Sequence, residues 1–183
     1  DAKVGDKLIL GKPLGVGILS AALKKQALDE AGYASMILNT TKLNKPGQAL
    51  SAMNGVNAMT DVTGFGLLGH LLEVCRGAGV GAQLNMSQIP LLPQVQQLAE
   101  AGYITGASAR NWDAYGHDVQ LLNGITAVQQ ALLSDPQTSG GLLVSCDPTS
   151  VPAVLELFRN GDFLEATVIG DIVAGTSTIK VSP

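Results

Sequence analysis

The feature that most constrains this chain is the change of period between residues 56 and 101. Residues 56–60 read as a strand, 64–76 as a helix, 80–86 as a strand, and 92–101 as a helix with Leu92, Val95, Leu98 and Ala99 on one face and Gly102 as its cap. Helices of that length between strands require crossover connections, so the expectation is an α/β or α+β layer with helices packed on a sheet. Upstream, "DKLILGKPLGVGIL" reads as a strand made irregular by Pro13 and then a helix. Leu19, Leu23, Ala27 and Ala31 recur every four residues and predict a helix over 19–31, capped by Gly32. A second helical stretch covers about 34–41, and another starts after Pro46. Residues 103–124 lack either period and read as a long ordered loop. Beyond it come a helix near 125–133, a buried strand at 141–146, a helix with Val151, Val154, Leu155 and Phe158 on its apolar face, and strands near 166–173 and 177–181. No repeat or linker divides the chain, so residues 1–183 are expected to form a single domain.

With 46% hydrophobic residues the chain can bury a substantial core. Its 14% charged residues and net charge of −4, without a run of either sign, give nothing that recruits nucleic acid or a membrane surface. No stretch of ~18 apolar residues exists to span a bilayer. "LGVGILSAAL" is interrupted by Lys24 and Lys25 and is not followed by a cleavage site, so it is not a signal peptide. Cys75 and Cys146 each lie in an apolar stretch and read as reduced core thiols, which points to a cytoplasmic protein. The sequence opens on Asp1 and reads from there like the interior of a longer protein.

"NAMTDVTGFGLLGHLLEV", residues 57–74, carries Gly64, Gly66 and Gly69 at the spacing of a dinucleotide-binding fingerprint. Such a fold needs an acid ~20 residues further on for the ribose, and "GAQLNMSQIP" offers Asn85, Ser87 and Gln88 but no Asp or Glu. What the stretch does contain is Asp61 at the end of a strand, Thr63 as a helix cap, and glycines over the first helical turn. Open N–H groups at a helix tip attract phosphate oxygens, and a carboxylate beside them suits the accompanying magnesium. The spacing alone also admits a plain structural reading, in which Asp61 caps the helix and the glycines permit close packing.

Three motifs carry a resemblance: "AMTDVTGFGLLGHLLEVCRGAGV", "ARNWDAYGH" and "SDPQTSGGLLVS". Together they resemble the selenide, water dikinase (selenophosphate synthetase) family, within the aminoimidazole ribonucleotide synthetase-like enzymes, over essentially the whole chain. The matching region is that family's C-terminal domain. The resemblance implies an α+β fold with a mostly antiparallel mixed sheet covered by helices. It also implies a reaction in which ATP, selenide and water give selenophosphate, AMP and phosphate with magnesium, in a full-length homodimer. Carried over residue by residue, the family's magnesium-binding aspartate falls on Asp61; Thr63 and Gly64, at the helix tip beside it, are the expected cofactor-binding residues. The remaining metal carboxylates, the catalytic Cys or selenocysteine and its lysine belong to the N-terminal domain, so no catalytic residue is expected here. Two positions depart from the family's pattern, Gly11 where a threonine is common and Val16 where a small or polar residue is common. These weaken any ligand role for residues 11–17. Two rival functions stay open: a nucleotide-dependent oxidoreductase built on Gly64, Gly66 and Gly69, and a non-catalytic interaction domain on the same scaffold.

The other motif residues have plainer readings. "DPQTSGG", residues 135–141, reads as a turn whose glycines let backbones approach, with Thr138 and Ser139 as alternative phosphate contacts. In "RNWDAYGH" the rings of Trp112 and Tyr115 anchor a loop and Arg110 pairs with an acid, or else Arg110 and Asn111 reach a nucleotide or partner domain. Asp113 and His117 complete this motif. His70 is expected on the solvated side of its helix with Glu73.

Overall fold

The computed structural model describes residues 2–183, and Asp1 lies outside them. In chain order the elements are β1 Lys7–Leu10, α1 Val16–Lys24, α2 Glu30–Thr41, α3 Pro46–Ser51, β2 Val56–Asp61, α4 Gly66–Ala78, β3 Gly81–Asn85 and α5 Val95–Glu100. They continue with α6 Gly106–Tyr115, β4 Val119–Leu121, α7 Ala127–Leu133, β5 Leu142–Cys146, α8 Val151–Asn160, β6 Thr167–Val173 and β7 Ile179–Ser182.

The strands form one seven-stranded sheet in the order β2-β5-β1-β6-β3-β7-β4. The first five are joined by antiparallel pairings, and β3-β7 and β7-β4 are parallel. This is the mostly antiparallel mixed α+β sheet that the resemblance implied.

Alternation along the central strands decides which side chains meet which helices, because successive residues face opposite sides of a sheet. Leu8, Leu10 and Leu143 join the larger core with Ile18 and Leu19 of α1, Leu68, Leu71, Leu72 and Cys75 of α4, Val95 of α5 and Leu132 of α7. Ile9, Leu142, Val144 and Cys146 face a smaller core built with Leu50 of α3 and Val154 and Phe158 of α8. The sheet is therefore sandwiched between two helical layers, and both thiols are fully buried and unbridged. Asp6, just before β1, ties two strands together, accepting from Asn57 Nδ2 of β2 at 2.9 Å and from Ser145 Oγ of β5 at 2.7 Å.

Four sequence expectations are corrected. The helix over 19–31 is really the end of α1 and the start of α2, because the chain turns at Gln26, where φ is 56°. Gly32 is not a C-terminal cap; its N–H donates to Asp29, the N-cap of α2, at 2.7 Å. Residues 103–124 are not a long loop but hold α6 and β4, with the Thr105 side chain capping α6 through the Ser108 N–H. The helix expected over 92–101 begins only at Val95, after Gln94 with φ 67°. Among the described residues no helix is long and apolar enough to cross a membrane.

Candidate functional site

Strand β2 lies at the sheet edge and delivers Asp61 at its last position, opposite Leu142 of β5. Asp61 is exposed, and its carboxylate makes no hydrogen bond or ion pair among the described residues. The backbone that follows is held firmly. Val62 N–H donates to Gly141 O at 2.9 Å and Gln137 N–H donates to Thr63 O at 3.0 Å. Asn111 Nδ2 donates to Gly64 O at 2.9 Å, and Tyr115 Oη donates to Phe65 O at 2.7 Å. Asn111 also reaches Ser134 O at 3.0 Å, so α6 ties residues 64–65 to the end of α7.

The fingerprint glycines sort into two kinds. Gly66 has φ 69°, and a Cβ there would lie 2.7 Å from the Ser134 carbonyl carbon. At Gly69 a Cβ would lie 2.9 Å from the Tyr115 ring. Both are therefore required by packing of α4 against its neighbours. Gly64 is exposed and faces open space, so no contact explains it. A dinucleotide fold needs the strands on either side of such a turn to run parallel in one sheet. Here β2 pairs only with β5, antiparallel, and β5, β1 and β6 lie between β2 and β3.

Thr63 does not cap α4; the N-cap is Phe65, without a side-chain bond. Its hydroxyl instead meets His70 Nε2 at 3.0 Å, while His70 Nδ1 lies 3.1 Å from Glu73 Oε2. His70 is 7% exposed, not solvated, with the Thr63 hydroxyl at one ring nitrogen and the Phe65 ring centroid 5.8 Å from its own. Arg110 is exposed and makes no ion pair among the described residues, contrary to the pairing expected. Tyr115 is an anchor as expected, Trp112 is half-buried against the larger core, and Asp113 and His117 are exposed.

The 135–141 segment behaves as a packed turn. A Cβ on Gly140 would lie 2.0 Å from Val62 O, and one on Gly141 2.4 Å from Lys12 N. Thr138 and Ser139 remain exposed. Two residues here were missed as structural actors. Asp135 is fully buried and its Oδ2 accepts from Gly17 N–H at 2.9 Å and Ile18 N–H at 3.3 Å, while Gln137 Oε1 accepts from Gly15 and Val16 N–H at 3.1 and 3.2 Å. The N-terminal amides of α1 are thereby consumed by the protein itself, which removes them as a phosphate cradle. Burial pushes the Asp135 carboxyl up to about 7, against the pull of these bonds. Lys12 is equally hidden, donating to Asn39 O, Lys42 O and Ser139 O at 3.0, 2.6 and 2.7 Å. Burial, with Lys42 nearby, lowers its ammonium to about 8.

Neither cysteine is a nucleophile in this setting. Burial pushes both thiols up to about 11, and for Cys146 the charges of Asp6 and Asp147 act in the same direction.

Residues 3–182 match the family model described as AIR synthase related protein, C-terminal domain. The chain belongs to this family. Within it, the chain is 60% identical over 181 residues to the selenide, water dikinase of Burkholderia pseudomallei, covering 99% of this chain and 51% of that protein. It is 59% identical over 181 residues to the selenide, water dikinase of Pseudomonas straminea, again covering 51% of it. The chain thus spans about half the length of the curated relatives it matches. Among solved structures, E. coli HypE superposes with a TM-score of 0.72 at 20% identity, covering 99% of this chain and 47% of that one. A hydrogenase maturation protein HypE solved in complex with ATP superposes at 0.66 and 15% identity, with 98% and 48% covered. These likenesses establish the AIR synthase-related fold.

Proposed function

We propose that this chain is the single C-terminal domain of a cytoplasmic selenide, water dikinase, and that it closes one side of an ATP site whose other side belongs to an N-terminal half. In the reaction proposed for that longer protein, a homodimer, ATP, selenide and water yield selenophosphate, AMP and phosphate. The observation that carries the reading is Asp61, an unpaired, exposed carboxylate at a strand end on a backbone fixed by four hydrogen bonds.

An oxygen ligand of this kind fits Mg2+, which commonly takes one or two carboxylates and completes its shell with water and substrate phosphates. Among the described residues no group of three or more His, Cys, Asp or Glu side chains could hold a metal, so Asp61 serves as one contribution to a shared site. When bound, the ion supplies charge neutralisation for the phosphates. Beside it, the Gly64 backbone lies in open space and can approach a nucleotide, and Thr63 is held in place by His70.

The test has two parts. Calorimetric titration of Mg–ATP into residues 1–183 should give at most weak binding and no turnover; tight stoichiometric binding would overturn the division of labour between halves. In the longer protein, Asp61→Asn should keep the fold and cripple turnover, because a neutral carbonyl replaces a charged ligand where phosphates concentrate negative charge. Turnover at the parent rate would remove Asp61 from the metal.

A further inference from the structure

A cleft of about 640 Å³ does not involve residues 61–66 at all. It lies between the end of α1 and the start of α6, and its charged lining residues are Lys24, Lys25 and Arg110. No Asp or Glu lines it, in a chain whose net charge is −4. None of the three cations has an ion-pair partner among the described residues, and Lys25 has only the Tyr103 ring, 5.5 Å from its Nζ. Lys24 sits in the last turn of α1, where it also complements the helix dipole, but that accounts for one charge of three.

Hydroxyls complete the wall: Ser20, Thr105 and Thr138 line the same cavity. Gly106, the first residue of α6, lines it as well, at the end of a helix where backbone N–H groups lack intrahelical acceptors. Asp135, behind Gly17, is fully buried, and its Oδ2 is already engaged by α1 amides. Ser20 Oγ already donates to Met36 Sδ and Thr105 Oγ1 is taken up by Ser108, which leaves the Thr138 hydroxyl. Three cations without an ion-pair partner among the described residues, this hydroxyl and the first backbone amides of α6 surround one concave surface and form a receptor for a compact, multiply charged oxyanion. An apolar or cationic ligand would leave the cations uncompensated.

We propose that this cleft binds a phosphate group, as inorganic phosphate or a phosphate monoester, independently of metal and of Asp61. Arg110 supplies the planar fork that matches phosphate oxygens in pairs, and Lys24 and Lys25 act as point charges.

The experiment is a 1H–15N NMR titration of the isotopically labelled 183-residue chain with inorganic phosphate and, separately, with AMP. Both are done in EDTA at constant ionic strength set with sodium chloride. EDTA silences any magnesium-bridged binding at Asp61, so failure here and failure of the proposed function remain distinguishable. Saturable shifts at Lys24, Gly106, Arg110 and Thr138 are expected, with affinity falling about tenfold in Arg110→Gln and again in Lys24→Gln. Both side chains are exposed, so these variants keep the fold, and the unchanged remainder of the spectrum verifies it. Saturation by phosphate alone identifies the free ion as ligand, and saturation by AMP alone a nucleotide monoester; either supports the site. Non-saturating shifts equal to those from chloride, shifts centred on residues 61–66, or affinities unmoved by both substitutions would each overturn it.

Discussion

Asp135→Asn isolates the most unusual group in the fold. The carboxyl is 0% exposed, and desolvation raises it from 3.8 to about 7 despite donors from Gly17, Ile18 and Gln137. The folded chain therefore holds a proton that the unfolded chain releases near pH 4, so stability falls as pH rises from about 4 to about 7 and is level beyond. Between pH 5 and pH 8 about two decades of this window are crossed, worth about 3 kcal/mol at ~1.4 kcal/mol per decade. Asparagine mimics the protonated acid: its carbonyl can take the place of Oδ2 under the α1 amides, and its NH2 falls where Oδ1 has no partner among the described residues. Urea unfolding of both chains at pH 5 and pH 8 reads the difference directly. Histidines and surface acids titrate alike in both and cancel. The variant should gain about 3 kcal/mol relative to its parent over that interval. A difference constant to within about 0.5 kcal/mol would mean that Asp135 stays ionised when folded, with the α1 amides outweighing burial.

Two further outcomes follow from the same geometry. Gly66→Ala forces a side chain into a left-handed conformation and against the Ser134 backbone, and should cost at least about 2 kcal/mol in thermal unfolding. Gly64→Ala, in open space, is the control and should cost under about 1 kcal/mol; equal losses would contradict the packing assignment. Cys75 and Cys146, with thiols held near 11 and no exposed surface, should resist iodoacetamide at pH 8 in the folded chain and react fully in urea. Rapid labelling of either under native conditions would show local opening of its core.

Elements that bury a regular apolar stripe were legible in the sequence. α4 and α8 carry Leu, Val, Cys and Phe at helical spacing, and β5 is buried throughout and apolar but for Ser145, so the apolar pattern alone located them. α6 escaped because it buries only Ser108 and Tyr115; its anchoring is polar, through Asn111 and Tyr115 to carbonyls that no pattern displays. The one available signal was Thr105 placed to cap the Ser108 N–H. The four-residue spacing across 19–31 ran through a chain reversal, and the Asp29 cap was the local mark that should have split it. Asp135 and Lys12 were invisible for a different reason. Their partners are distant in sequence, Gly17 lying 118 residues from Asp135 and Ser139 127 residues from Lys12, and burial of a charge has no local signature.

These hidden contacts bear on the candidate site. Asp135 and Gln137 fasten the 135–141 turn to α1, and Lys12 fastens it to the end of α2. That turn in turn holds Val62 and Thr63, while α6 holds Gly64 and Phe65. Every one of these bonds acts on backbone, and none engages the Asp61 carboxylate. A fold that needed Asp61 for its own stability would have paired that side chain. One that spends buried acid, buried lysine and a helix on the surrounding main chain, and leaves the carboxylate free, agrees with the part in a shared magnesium site proposed for Asp61.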